Sequence, residues 1–365
     1  MSRPIVIAAG GTGGHFFPAE AVATVLAARG HDLVLMTDAR HGRRDTGLFR
    51  DLPQYVLDGA GVAGKGLGGK VRGVLALLRG IGEARRVLKS LDAAAVVGFG
   101  GYPSIPPLTA SRFLPSAKRP RMVIHEGNAV LGQANAFLSH FSPLIATSYA
   151  TVARLPQNAQ TTLTGMPVRA GIEALFENTY ATPEERINLL VWGGSLGARV
   201  FSEVVPQALA ALPEELRKRL KVTQQIKADD LDRVRAIYTD AGIEVEAAPF
   251  FTDVPTCLRD AHLVIGRAGG SSIAELTMSG RPSILVPLPI AASDEQGANG
   301  QALVDAGAAW MIRQPDFTPT ALTALLTDLF SHPEKLANAA RAAHFCARPH
   351  AAAKVADLIE SALRP

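Results

Sequence analysis

Short runs that are apolar at every position, each followed by a turn and a longer helix-like stretch, constrain this chain more than any other feature. In the first half they are "PIVIAAG", "HDLVLMTD", "AAAVVGFGG", "RMVIHEG", "PLIATSYA" and "TTLTGMPV". A strand with one wet face alternates apolar and polar residues, whereas a run that is apolar throughout is buried on both faces, as in a parallel sheet covered by crossover helices. The pattern restarts at "INLLVWGGSLGARV" and continues through "KVTQQIK", "IEVEAAPF", "HLVIGRAGGSSIAE", "PSILVPLPI" and "AAWMI". Two Rossmann-like, doubly wound α/β domains are therefore expected, which suits 365 residues, because single cores stop growing near ~250–300 residues. We expect the first domain over 1–166 and the second over 167–343, divided at the turn near Pro167. The Ala-rich end of the chain, 344–365, is expected to pack back on the first domain. In such sheets ligands bind beyond the carboxyl ends of the strands, so the glycine loops are expected to face one interdomain cleft.

Composition narrows the class. With 47% hydrophobic and 19% charged residues the chain reads as a globular protein. A formal charge of +4 gives no reason to expect nucleic acid as a partner. The first apolar run is too short for a signal peptide, and no run is long enough to span a bilayer. Cys257 and Cys346 are too few and too far apart for a disulfide scaffold or a zinc site, and read as free thiols of a reducing compartment.

The loops carry the chemistry. "GGTGGH" (Gly10 to His15) lies between the first strand and a helix expected to begin near Pro18 or Ala19. Glycines there allow close backbone approach, and the amides of a helix N-terminus favour an anion, so the loop is either a phosphate cradle or a tight strand-to-helix turn. His15 would feel the positive end of the helix dipole, which keeps the imidazole neutral and able to accept a proton. It is a candidate general base, with a packing or capping role as the alternative.

"GGSLGAR" opens the second half in the same way, and its amides with the Ser195 hydroxyl suit a pyrophosphate. In "GRAGGSSIAE", Glu275 is either the far end of a capping box begun by Ser272 or a carboxylate for a ribose diol. "VIHEGNA" sets His125, Glu126 and Asn128 just past a buried strand, with His125 read either as a site residue or as a satisfied core histidine. "DEQGAN" offers Gln296 and Asn299 three apart on a helix start, placed to read sugar hydroxyls or to cap. Asp230 and Asp232 look like a metal-binding pair, but their charged neighbours mark a solvated helix face, and no metal site is expected.

Between Gly64 and Leu91 the cations Lys65, Lys70, Arg72, Arg79, Arg85, Arg86 and Lys89 face a single acid, Glu83. Val71, Val74, Leu75 and Leu78 form an i, i+3, i+4, i+7 stripe, so the segment is an amphipathic basic helix. Either the stripe covers the sheet with the charges in water, or it joins Leu67 and the cations in holding an anionic membrane surface.

Taken together, "GGTGGHFFPA", "GFGGYPS", "HEGNAVLGQAN", "TGMPVR", "GGSLGA", "GRAGGSSIAEL" and "PLPIAASDEQGAN", in this order over most of the chain, closely resemble the MurG family. The resemblance implies a GT-B fold and an inverting glycosyltransferase of peptidoglycan, cell-wall and division biology. It would move GlcNAc from UDP-GlcNAc to the 4-hydroxyl of MurNAc-pentapeptide on undecaprenyl diphosphate, lipid I to lipid II, with no cofactor and no metal. It further implies a peripheral enzyme at the cytoplasmic face of the bacterial plasma membrane, with cell-wall synthesis proteins as partners.

Carried over by motif, Arg169 and Ser195 would meet the donor diphosphate, Phe251 and Gly270, Ser271, Ser272, Ile273 and Ala274 the uracil and its neighbours, and Glu275 the ribose. Gln296 with Asn299 would meet the sugar. Thr12, Gly13, Gly14, Asn128 and Tyr102 would line the acceptor face and its junction with the donor, while His15 and Glu126 are the positions for acceptor activation. Leu196, Met166, Gly127 and Gly300 depart from the family's usual Gln, Asn, Gln and Ala. Weighed against this are a transferase with another acceptor, a non-catalytic nucleotide-sugar sensor, and a nicotinamide-dependent oxidoreductase holding its ribose on Asp38.

Overall fold

The computed structural model describes residues 3–10, 13–40, 42–57, 67–141, 143–193, 198–289 and 293–364. The chain divides into two compact units, residues 1–169 with 350–365, and residues 170–349.

Unit 1 is built on a parallel seven-stranded sheet: β1 Ile5–Ala8, β2 Leu33–Asp38, β3 Gln54–Leu57, β4 Ala95–Gly98, β5 Arg121–Glu126, β6 Leu144–Thr147 and β7 Gln160–Leu163, ordered β3-β2-β1-β4-β5-β6-β7. Every residue of β1 is at most 1% exposed. Side-chain alternation sends Ile5 and Ile7 to a face covered by helices Gly13–Ala28 and Ala351–Leu363, and Val6 and Ala8 to one covered by Leu67–Leu91 and Ile105–Arg112. Both faces are dry, as uniformly apolar strands require.

Unit 2 repeats the plan with six parallel strands: β8 Ile187–Trp192, β9 Leu220–Gln225, β10 Glu244–Ala248, β11 Leu263–Gly266, β12 Ser283–Leu285 and β13 Ala309–Met311, ordered β10-β9-β8-β11-β12-β13. Leu189, Val191, Ile265 and Ile284 meet Phe201, Val205, Leu209 and Leu326 in one continuous core.

Several details differ from the sequence expectation. Passage out of unit 1 falls after Arg169 rather than 166, and the returning segment begins at His350 rather than 344. Helix Pro333–Cys346 packs on helix Gly270–Met278 within unit 2, and only Ala351–Leu363 joins unit 1, against Gly13–Ala28. That first helix starts at Gly13, ahead of Pro18, which sits inside it. β3 went unread in the sequence because it is a four-residue edge strand with one exposed position. In Leu67–Leu91 the inward face is made by Gly73, Gly80, Ala84 and Leu88. Small residues let the helix approach Ile105–Arg112 closely, and the stripe Val71, Val74, Leu75 and Leu78 is left 54, 49, 48 and 58% exposed.

Candidate functional site

In unit 1 the site residues expected from the sequence gather at the carboxyl ends of β1, β4 and β5. His15 lies in the first turn of helix Gly13–Ala28. Its ring rests on the loop after β4, where Gly100 and Gly101 adopt φ of 81° and 68°. A Cβ at Gly100 would stand 3.2 Å from His15 Cδ2, a tight approach, whereas one at Gly101 would make ordinary contact with the ring at 3.5 Å, so Gly100 is needed for conformation and room and Gly101 for conformation. The Ser104 hydroxyl ties this loop down by donating to the Gly100 carbonyl at 2.8 Å. Sequence reasoning left the "FGG" turn without a role; its neighbour Tyr102 was the only residue there given one.

Glu126 is 2% exposed. Oε1 accepts from the backbone and side-chain amides of Asn128 at 3.0 and 3.1 Å, and Oε2 from the Gly132 amide and Asn135 Nδ2, both at 2.9 Å. Burial pushes the carboxyl up, and these four donors oppose it. Its geometry is that of an anchor for the loop 127–135. Asn135, which the sequence reading passed over, spans Glu126 and the His125 carbonyl and is 2% exposed.

His125 proves to be a core histidine: 2% exposed, with Nε2 bonded to the Gly165 carbonyl at 3.1 Å and 3.3 Å from the Ser148 hydroxyl. Burial lowers its pKa to about 4, the Gly165 carbonyl opposes this, and His15 adds to the lowering. Tyr102 lies under the Arg40 guanidinium, 5.3 Å from the ring centroid, and burial raises its phenol. Asp38 is buried and held by Arg40 at 2.6 Å, so its carboxylate is committed within the protein rather than offered to a ribose. Arg169 belongs to this unit and places its guanidinium 4.6 Å from the centroid of the Phe17 ring.

In unit 2, helix Gly270–Met278 begins directly after the loop that follows β11. Its N-cap is Gly269, extended, with no side-chain cap. Ser272 therefore lies inside the first turn, and the capping box with Glu275 does not form; Glu275 is a buried residue of the helix body, 5% exposed. The backbone amides of Gly270, Ser271 and Ser272 are the uncapped donors of this end, with Ile273 turned into the core and Ala274 half-buried.

Helix Glu295–Asp305 braces this loop. Asn299 is fully buried and donates from Nδ2 to the Ala268 carbonyl at 3.1 Å, a structural bond the sugar-reading expectation did not include. Gln296 Oε1 accepts from the Leu288 amide at 3.0 Å, and its Nε2 lies 3.9 Å from where a Cβ of Gly269 would be. Phe251 is half-buried between β10 and helix Val254–Asp260. Asp230 is paired with Arg233 at 2.7 Å and Asp232 is exposed. Among the described residues no group of three or more His, Cys, Asp or Glu could hold a metal ion.

Thr12, Ser195, Leu196 and Lys65 lie outside the described residues, as do the side chains of Leu67 and Lys70.

Two parallel α/β units with glycine loops beyond the strand ends suit a phosphate-bearing ligand, and comparison with known proteins specifies the class. The glycosyltransferase family 28 N-terminal domain matches residues 5–147 and the family 28 C-terminal domain residues 188–361. The chain is 88% identical over 364 residues, the whole of both proteins, to the UDP-N-acetylglucosamine–N-acetylmuramyl-(pentapeptide) pyrophosphoryl-undecaprenol N-acetylglucosamine transferase of Gluconobacter oxydans. It is 52% identical over 363 residues to the protein of the same name from Granulibacter bethesdensis, covering 99% of this chain and 94% of that one. Among solved structures, MurG of Acinetobacter baumannii superposes with a TM-score of 0.80 at 30% identity, over 99% of this chain and 100% of that one. The chain belongs to the MurG family of glycosyltransferase family 28, and its two units are those of the GT-B class.

Proposed function

We infer that the chain transfers N-acetylglucosamine from UDP-GlcNAc to the 4-hydroxyl of N-acetylmuramyl-pentapeptide on undecaprenyl diphosphate, the step from lipid I to lipid II in peptidoglycan synthesis. The observation that carries it is the 88% identity over full length to a transferase named for this reaction.

In the mechanism we propose, the imidazole of His15 takes the proton of the acceptor hydroxyl as its oxygen attacks the anomeric carbon from the side opposite UDP. The bond from that carbon to the diphosphate breaks, the configuration inverts, and UDP leaves. His15 is favoured over Glu126 because both Glu126 oxygens already accept two N–H donors each. Negative charge on the departing diphosphate is met by Arg169, the amides of Gly270 to Ser272 and the Ser195 loop, with no metal ion. Glu275 is assigned to the ribose, Phe251 and the backbone of Ile273 to the uracil side, and Gln296, through its Nε2, to the sugar. Thr12, Gly13, Gly14, Tyr102 and Asn128 are assigned to the acceptor side.

We place the enzyme at the cytoplasmic face of the plasma membrane as a peripheral protein. No helix among the described residues is long and apolar enough to cross a membrane. The outward stripe Val71, Val74, Leu75 and Leu78, flanked by the exposed Arg72, Arg79, Arg85, Arg86 and Lys89, supports docking on anionic lipid. Phe113, 61% exposed, is tied to the same helix through its carbonyl, which accepts from Arg85 Nε at 3.3 Å. An acceptor carried on a lipid gives that surface its use.

The deciding experiment is transfer of labelled GlcNAc from UDP-GlcNAc to a lipid I analogue with a chelator present. Product supports donor, acceptor and metal independence together. Donor binding without product would overturn the acceptor, or the metal independence if added Mg²⁺ restored turnover.

A further inference from the structure

Phe17 touches two features of unit 1 that the reaction would use, and it carries no role in the mechanism above. Helical side chains lean back over the preceding turn. The Phe17 ring accordingly covers Gly13, where a Cβ would stand 2.7 Å from Phe17 Cε2. The Arg169 guanidinium lies on the same ring, 4.6 Å from its centroid. Its neighbour Phe16 points the other way into the core, 8% exposed and 5.5 Å from the Phe49 ring. Both rings carry an arginine: buried Phe16 has the Arg44 guanidinium 3.9 Å from its centroid and packs the helix, while Phe17 stays half-buried at the amino end beside Gly13 with Arg169 on it.

We propose that Phe17 is a positioning residue for transfer, holding Arg169 beside the turn Gly13 to His15 and keeping position 13 free of any side chain. The proposal rests on the assignment of Arg169 to the donor diphosphate. An aromatic ring attracts a guanidinium through the flat of the group rather than its N–H edge, so stacking orients the side chain. A long, flexible side chain is then ordered before the donor arrives, and less entropy is lost on binding.

The test is kcat/KM for UDP-GlcNAc at saturating acceptor in Phe17→Leu, Phe17→Tyr, Arg169→Ala and the Phe17→Leu/Arg169→Ala double variant. The expected result is a roughly three- to ten-fold loss in Phe17→Leu, near-complete retention in Phe17→Tyr, and no further loss from Phe17→Leu once Arg169 is removed. A merely structural Phe17 would give losses that multiply, and that outcome overturns the proposal, as does a loss in Phe17→Tyr equal to that in Phe17→Leu. If Arg169→Ala lowers kcat/KM and Phe17→Leu leaves it unchanged, the proposal alone fails. If Arg169→Ala itself has no effect, the diphosphate assignment fails with it. Should Phe17→Leu not fold, Phe17→Met takes its place, and its loss must likewise disappear in the Arg169→Ala background.

Discussion

Gly127 and Met166 share one space: a Cβ on Gly127 would lie 3.0 Å from Met166 Sδ and 3.1 Å from its Cε. Met166 is 7% exposed, and its sulfur accepts from the Ser148 hydroxyl at 3.7 Å. Two of the positions that depart from the family pattern are therefore one packing arrangement, in which the missing side chain at 127 is the room that Met166 fills. Gly300 stands in the same relation to Met311, whose Sδ would be 3.0 Å from an added Cβ. Gly127→Gln should destabilise unit 1 by about 1–3 kcal/mol through overpacking, and Met166→Asn in the same chain should recover most of the loss. Denaturant unfolding of both single variants and the double variant measures it; additive losses would show that the two positions are independent.

Removing the proposed base and removing the anchor should look different. His15→Ala is expected to lower kcat by roughly 10²–10⁴-fold with little change in melting temperature. Glu126→Ala strips the acceptor from four buried or half-buried neutral donors and should cost on the order of 3 kcal/mol of stability. Glu126→Gln, which keeps the shape but forfeits part of the bonding, should lose stability while kcat falls less than ten-fold. Steady-state kinetics beside thermal melts separate the two; a melt unchanged in Glu126→Ala would remove it from the scaffold.

Buried His125 makes stability depend on acidity in a known direction. The unfolded chain takes a proton on this ring near the ordinary value of about 6.5, while the folded protein resists until about 4. More protons are bound unfolded than folded in that window, so stability rises with pH across it. The contribution is complete above about 6.5 and is lost as pH falls towards 4, on the order of 3 kcal/mol in all. Unfolding free energies from pH 4 to 7 should slope less in His125→Gln than in the parent chain, and an equal slope would assign the effect elsewhere.

Vesicle binding should follow charge and the exposed stripe together. Neutralising Arg72, Arg79 and Arg86 removes about 1 kcal/mol each at an anionic surface, or about a hundred-fold in partitioning. Leu75→Ser with Leu78→Ser should weaken binding to anionic and neutral vesicles alike. Cosedimentation checks both, and binding that ignores the charge changes would leave the helix without a membrane role.

What the sequence made legible follows from how local the physics is. Strands such as Ile5–Ala8 and Ala95–Gly98 announced themselves because burial on both faces writes every position apolar. The amphipathic segment was legible as a helix but not in its orientation: Gly73, Gly80 and Ala84 turn inward because small residues permit close packing, a preference an apolar count does not register. Ser272 and Glu275 have capping-box spacing, yet the helix begins at Gly270, set by the extended Gly269. Asn135 and the Gly100–Gly101 turn were missed because their importance lies in contacts with Glu126 and His15, far away in the chain.

The helix Ala351–Leu363 has a consequence for how the chain acquires its form. Ala352, Val355, Ala356 and Ile359, all at most 5% exposed, complete the core that begins at Ile5, and Arg29 reaches across 328 and 331 positions to Asp357 and Glu360. Unit 2 is synthesised in full between the two parts of unit 1. A nascent chain can therefore finish its second unit while the first still exposes an apolar groove awaiting residues not yet made, so arrest or truncation before position 351 leaves the earlier-made unit, not the later one, open to aggregation.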